Sequence, residues 1–243
     1  MAKKRKITGL KAERKRLLQN CEELINRFRN TSVCLRVGEA AAAAYESSSS
    51  TTAASASSSQ RQCPSLTSLG DSEILVLVQA GIVQEWQVYL DAVFEMIVRH
   101  SLITCDLSRL PSRLEIDIKD IDPKSVSTVR GSTAKAARER FSFLAYSEKV
   151  KSMCNIFGVN VKSEDASVFE LRKHVEIRNI FQHNRGTVRE DDLRKIGKAS
   201  YDIREPGGVQ EYCGGQKIVL TSDEVDYLAS VLESFSKNFE VLK

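Results

Sequence analysis

The stretch DSEILVLVQAGIVQEWQVYLDAVFEMIV, residues 71–98, decides the fold class. Leu75, Val78, Ile82, Trp86, Tyr89, Val93 and Ile97 recur at steps of three and four, the period that gathers apolar side chains on one stripe of an α-helix. Asp71 stands just ahead of that row and is a residue type that caps helix N-termini, so a long first core helix is expected from there.

Toward the C-terminus, Pro111 and Pro123 break helices between Leu107 and Gly131, while Leu114, Ile116 and Ile118 alternate as in a short extended segment. This predicts a crossover. Ser132 or Thr133 then starts a second core helix with Ala137, Phe141, Leu144, Val150, Cys154 and Phe157 inward, stopped at Gly158. Asp165 precedes a third helix reaching about His183, with Val168, Leu171 and Val175 on one row and Ile177, Ile180 and Phe181 beside it. A loop is expected from Asn184. Gly207-Gly208 and Gly214-Gly215 bracket Val209–Cys213, and Lys217–Leu220 is β-prone, which predicts a small hairpin there. Thr221 and Glu224 make a capping-box pattern opening a last helix with Val225, Leu228, Leu232, Phe235 and Phe239 inward. The expected fold is all-α, a four-helix bundle with a small β-hairpin before its last helix.

Toward the N-terminus, five alanines (Ala40–Ala44), four serines (Ser47–Ser50) and further Ser, Thr and Ala offer too little to bury against chain entropy. Before them, Ile7–Arg29 is helical in pattern, with Leu10, Leu17 and Leu24 one heptad apart and Cys21 and Phe28 alongside. Residues 1–36 carry a charge of +8 in a chain whose net charge is +4. Such a helix can lie along a nucleic-acid backbone, or it can pack on the main domain or pair with itself, its basic face solvated. The organisation read from the sequence is a basic amphipathic helix at 1–36, a Ser/Ala-rich disordered linker at 37–65, and a helical domain at 66–243.

The chain has 243 residues, 42% hydrophobic and 28% charged, enough to bury one sizeable core. Polar residues interrupt Ile74–Val78 and Val93–Val98 well before the ~20 apolar residues a membrane helix needs, so no membrane partner is expected. Lys3, Lys4, Arg5 and Lys6 resemble an import signal but lack the apolar core and cleavage site of a secretory one. The six cysteines, at 21, 34, 63, 105, 154 and 213, contain no CxxC pair and no zinc-type Cys/His spacing, which fits free thiols in a reducing, cytoplasmic setting without a structural metal. Asp117, Asp120 and Asp122 lack a calcium-loop pattern and read as a solvated loop.

Chemistry concentrates in Glu170-Leu-Arg-Lys-His-Val-Glu-Ile-Arg-Asn-Ile-Phe-Gln-His-Asn-Arg-Gly-Thr-Val188. Arg178 continues the apolar row of Val168, Leu171 and Val175. Burying an unpaired guanidinium costs several kcal/mol, so an anion must approach it, either a carboxylate of the fold or a phosphate of a ligand. His183 comes five residues later, about 140° around an ideal helix, so the two share a groove only if a partner helix, such as a two-fold copy, crosses near that end.

Arg178-Asn179-x-x-x-His183 resembles the Arg-x4–6-His signature of HEPN proteins, and Asn184-x-Gly186-x-Val188 is similar to the residues just past that histidine in the family. The order of elements from residue 66 to 240 matches the family too, while the basic helix and the linker fall outside it. The resemblance implies a metal-independent endoribonuclease acting as a homodimer, a toxin or defence component with an antitoxin or regulatory partner. Arg178 and His183 would be catalytic, and Asn179, Asn184, Arg185 and His174 auxiliary or RNA-binding; no cofactor is implied. Histidine can take or give a proton near neutrality, and arginine offers a fixed fork of donors to phosphate oxygens. In the toxin branch paired with nucleotidyltransferase antitoxins a tyrosine stands two residues after the histidine. Here that position is Arg185, so control by tyrosine modification there is not expected. Three alternatives stay open: Arg178 bridges an acidic residue while His183 ends a helix near its negative pole; His174 packs rather than assists; or the chain is an inactive HEPN-type module binding RNA, nucleotide or protein.

Overall fold

The computed structural model describes residues 9–26, 66–106, 108, 110, 125–159 and 166–239, with side chains from Glu73 onward in the helix that begins at Leu66. The Ser/Ala linker, the alternating segment Leu114–Ile118, the aspartate cluster at 117–122 and Lys3–Lys6 lie outside the described residues. Helix α1 runs through residues 10–26. After it come α2 (Leu66–Thr104), α3 (Val126–Ser142), α4 (Tyr146–Phe157), α5 (Ala166–Asn184), α6 (Glu190–Ile196), β1 (Tyr201–Glu205), β2 (Gly208–Tyr212), α7 (Ser222–Ser236) and a 3-10 turn, Lys237–Phe239. The described fold is mostly helical with one two-stranded antiparallel hairpin.

The stripe read on α2 is buried throughout: Leu75, Val78, Ile82, Trp86, Tyr89, Val93 and Ile97 are all in the core. α2 begins at Leu66, however, so Asp71 falls inside the helix instead of capping it. Around its midpoint Trp86 packs on Tyr89, Phe235 and Phe239, and Phe157 reaches the same cluster through Phe239. Further along, Phe94 stacks on Phe141 of α3 with ring centroids 4.1 Å apart.

The second core helix is divided. α3 starts at Val126, with the Ser125 side chain accepting from Thr128 N–H, and ends at Ser142. Phe143, Leu144 and Ala145 are exposed in the break, so Leu144 does not face inward as expected. A new helix starts at Tyr146 and stops at Gly158, whose left-handed φ of 61° closes α4 as read from the sequence. The bend lets α4 meet α2 through Lys149 on Asp91 at 3.1 Å and Trp86 Nε1–H donating to Tyr146 Oη at 2.9 Å.

The hairpin also differs from expectation. Tyr201–Glu205 pairs with Gly208–Tyr212 across a Pro206-Gly207 turn, while Lys217 makes only an isolated bridge to Thr187. Tyr201 and Ile203 point into the core and Asp202 outward, the alternation of a strand with one covered face. Helix α6, seven residues long, occupies a stretch whose sequence reads as loop.

α1 packs on the domain. Leu10, Leu17, Cys21 and Ile25 join the same core as α2 and α7. Asn20 Nδ2 donates to Glu85 at 2.7 Å, Arg14 Nε donates to Ser236 Oγ at 3.1 Å, and the absent side chain of Gly81 makes room for Leu24. No described helix is long and apolar enough to cross a membrane.

Candidate functional site

α5 carries every motif residue from Glu170 to Asn184 in one unbroken helix, held on one side by α2 and α7 and on another by α6. Its apolar row, Leu171, Val175, Ile177 and Ile180, fixes which way the polar residues between them face.

Arg178 is half-buried, and its Nε is enclosed without a hydrogen-bond partner. One Nη reaches Gln84 Oε1 on α2 at 3.5 Å, a long contact, and among the described residues Arg178 makes no ion pair. The fold thus supplies no described carboxylate for it. His183, in the last turn of α5, is exposed and has no side-chain partner among the described residues. The pair stays about 140° apart around the axis, because α5 is continuous between them.

The residues around them have structural duties. Asn184 Nδ2 donates to Asp192 Oδ2 at 3.1 Å, and the same oxygen accepts Arg189 N–H at 3.1 Å, which fixes the start of α6. Lys195 Nζ lies 3.1 Å from Asp192 and 3.8 Å from Glu176, and Glu176 accepts from Asn179 Nδ2 at 3.5 Å. Both asparagines are therefore tied into one chain of polar contacts through α6. Arg185 is exposed and left-handed at φ 52°, and Gly186 comes next at φ 84°. A Cβ on Gly186 would stand 2.7 Å from Phe181 Cε1, so position and conformation both demand glycine. Val188 is buried, its N–H donating to Gln216 O at 2.9 Å.

His174 lies inside the core, fully buried, and does not reach the surface that Arg178 and His183 share with solvent. Gln79 donates to its backbone oxygen at 2.8 Å and approaches Nδ1 at 3.5 Å, while Nε2 faces Glu224 Oε1 at 3.2 Å. Burial pushes the His174 pKa down and the Lys173 charge adds to that, outweighing the opposing pull of Glu224, which favours the neutral ring. Burial alone would raise Glu224, but His174 and Lys173 outweigh it and hold the carboxyl down to about 2.

Glu170, His174 and Glu224 bring ligand-type atoms within 4.8 Å of one another. Lys173 supplies the cation there, its Nζ lying 2.6 Å from both Glu170 and Glu224. The Glu224 carboxylate also accepts Arg204 N–H at 2.8 Å, so it does not serve as the second half of a capping box; Thr221 caps α7 alone by accepting Glu224 N–H at 3.2 Å.

Sequence reading missed Gln79, Lys173, Asp192 and Glu224 as a supporting set. Gln79 had a signal, since it sits four after Leu75 and three before Ile82, a polar residue on the core stripe. Lys173 and Glu224 had none, because their pairing joins helices 51 residues apart in sequence. No family model matches this chain, and neither the curated proteins nor the solved structures yield a match to it.

Proposed function

We propose that the chain is a metal-independent endoribonuclease of the HEPN type, with α2, α3–α4, α5 and α7 as its four-helix bundle and Arg178 and His183 cutting RNA at a groove between two copies of α5. The observation that supports this most is Arg178: a half-buried guanidinium with an enclosed, unpartnered Nε and no carboxylate partner among the described residues is prepared for an incoming anion. His183 stands exposed at the end of the same helix, open to a substrate.

In this scheme the RNA 2′-hydroxyl attacks the adjacent phosphorus. The 2′-oxygen–phosphorus bond forms as the bond to the 5′-oxygen breaks, leaving a 2′,3′-cyclic phosphate and a 5′-hydroxyl. One His183 accepts the 2′ proton, and the second copy's His183 protonates the leaving 5′-oxygen. Arg178 donates to the non-bridging oxygens as their charge grows. Arg185, exposed beside them, adds a positive contact at the groove mouth. A cytoplasmic toxin or defence role restrained by an antitoxin or regulatory partner rests on resemblance alone.

A second reading is an inactive module whose Arg178 holds a phosphate or a partner's carboxylate without turnover. It is favoured by Asn179 and Asn184, which Glu176 and Asp192 already occupy, leaving fewer groups to assist chemistry. Incubating the purified protein with labelled single-stranded and structured RNA in excess chelator, beside Arg178→Ala and His183→Ala, separates the two. Cleavage by the parent protein alone, leaving cyclic phosphate ends, is the expected result; RNA binding that Arg178→Ala weakens, with no cleavage, moves the assignment to the module.

A further inference from the structure

Between α4, α5 and α6 the surface opens into a cavity of about 420 Å³, within the range of small-molecule sites. Its walls are apolar and come from separate segments: Val150 on α4, Val159 after it, Val168 and Phe169 on α5, and Ile196 ending α6. Val159, Val168 and Phe169 pack on the core with one side and are only partly buried, so they leave apolar surface that a ligand could cover favourably.

Among the described lining residues the charges are of one sign: Lys151 and Arg172 are exposed at the edge of the cavity, and none is acidic. One Nη of Arg172 donates to the Lys195 backbone oxygen, which anchors the guanidinium at the rim and leaves its other donors for a ligand. Lys198 lies over the Phe169 ring with Nζ 5.1 Å from its centroid, a third cation beside the cavity. Ser147 and Asn155 add neutral donors to the lining.

We propose that this cavity binds a small amphipathic anion, an apolar body carrying one carboxylate or phosphate. The body lies against Val150, Val168, Phe169 and Ile196, and the head meets Lys151 and Arg172. Arg172 lies about 120° around α5 from Arg178 and, though nearly in line with His183, about 16 Å along the axis from it, so the proposal does not depend on the candidate nuclease pair.

The test is calorimetric titration with octanoate and phenyl phosphate, each beside its uncharged counterpart, octanol and benzyl alcohol. Ser147→Trp fills the mouth and Lys151→Glu reverses its charge; both positions are exposed, so both variants keep the fold. One-to-one binding of at least one anion is expected, weakened about tenfold by Lys151→Glu with the neutral counterpart unmoved, and lost in Ser147→Trp. Binding of octanoate alone identifies an acyl carboxylate as the ligand class, and binding of phenyl phosphate alone an aromatic phosphate. Failure of both anions to bind at about 10 mM, or binding that neither variant changes, overturns the proposal.

Discussion

Lys173 Nζ lies 2.6 Å from Glu224 Oε1 with the two side chains only 3% and 0% exposed, so an ion pair is sealed into the core directly behind the motif helix. Removing one partner of a buried pair costs about 3–5 kcal/mol where the other charge is stranded; Lys173 keeps Glu170 at 2.6 Å and donates to Asp202 O at 2.8 Å, so the loss lies at the lower end, about 3 kcal/mol. Glu224→Ala is expected to lose that much in urea unfolding. Adding Lys173→Met to it should cost less than the sum of the two single changes; additive losses would show that the pair is not coupled.

The same cluster makes the fold acid-sensitive in two windows. The His174 pKa is lowered from 6.5 in the folded protein, so as pH falls through 6.5 the unfolded chain takes up a proton before the folded one does and stability falls. Glu224, held down to about 2 from an ordinary 4.5, contributes stability that is complete above 4.5 and lost as pH falls toward 2. Unfolding midpoints measured from pH 8 to pH 3 should drop in both windows. His174→Gln should flatten the upper one, and an unchanged slope there would assign the loss to other groups.

Gly186 is expected to resist replacement. Gly186→Ala imposes a side chain at φ 84° and sets its Cβ against Phe181, at a cost of about 1–3 kcal/mol. Shortening Phe181 to Leu in the same protein should return the steric part and leave the backbone part. A fully stable Gly186→Ala would mean that the turn after α5 rearranges freely.

Asn184 and His183 are neighbours that should respond differently. Asn184→Ala removes a hydrogen bond to Asp192 and is expected to cost about 1 kcal/mol of stability, visible in denaturant. His183→Ala, at an exposed position, should leave stability within about 0.5 kcal/mol while abolishing any RNA cleavage. An Asn184 variant that unfolds normally but fails to cleave would put the amide in the chemistry.

Where one period ran unbroken, the sequence was readable. The α2 stripe from Leu75 to Ile97 and the α7 row from Val225 to Phe235 are buried as spaced, and Phe239 is buried too, from the 3-10 turn that follows α7. The break between α3 and α4 was hidden because Phe143, Leu144 and Ala145 contain neither glycine nor proline, and Leu144 sits in phase with a helix it does not belong to. The Pro206-Gly207 turn was in plain view, yet Tyr201–Glu205 alternates over too few residues, three of them charged, to be read as a strand. Arg178 stood out as a cation in an apolar row, and the structure leaves it partly enclosed. The bracing of Asn179 and Asn184 depends on α6, too short at seven residues to betray itself by period.

The contact between Arg14 and Ser236 spans 222 residues. On a ribosome adding roughly 5–20 residues per second, α1 therefore waits on the order of 10–40 seconds for the helix it will rest on. Through that interval Leu10, Leu17, Cys21 and Ile25 lack part of the cover they have in the finished fold. Nascent chains of this protein should accordingly depend on holding factors more than a bundle closed by neighbouring helices would.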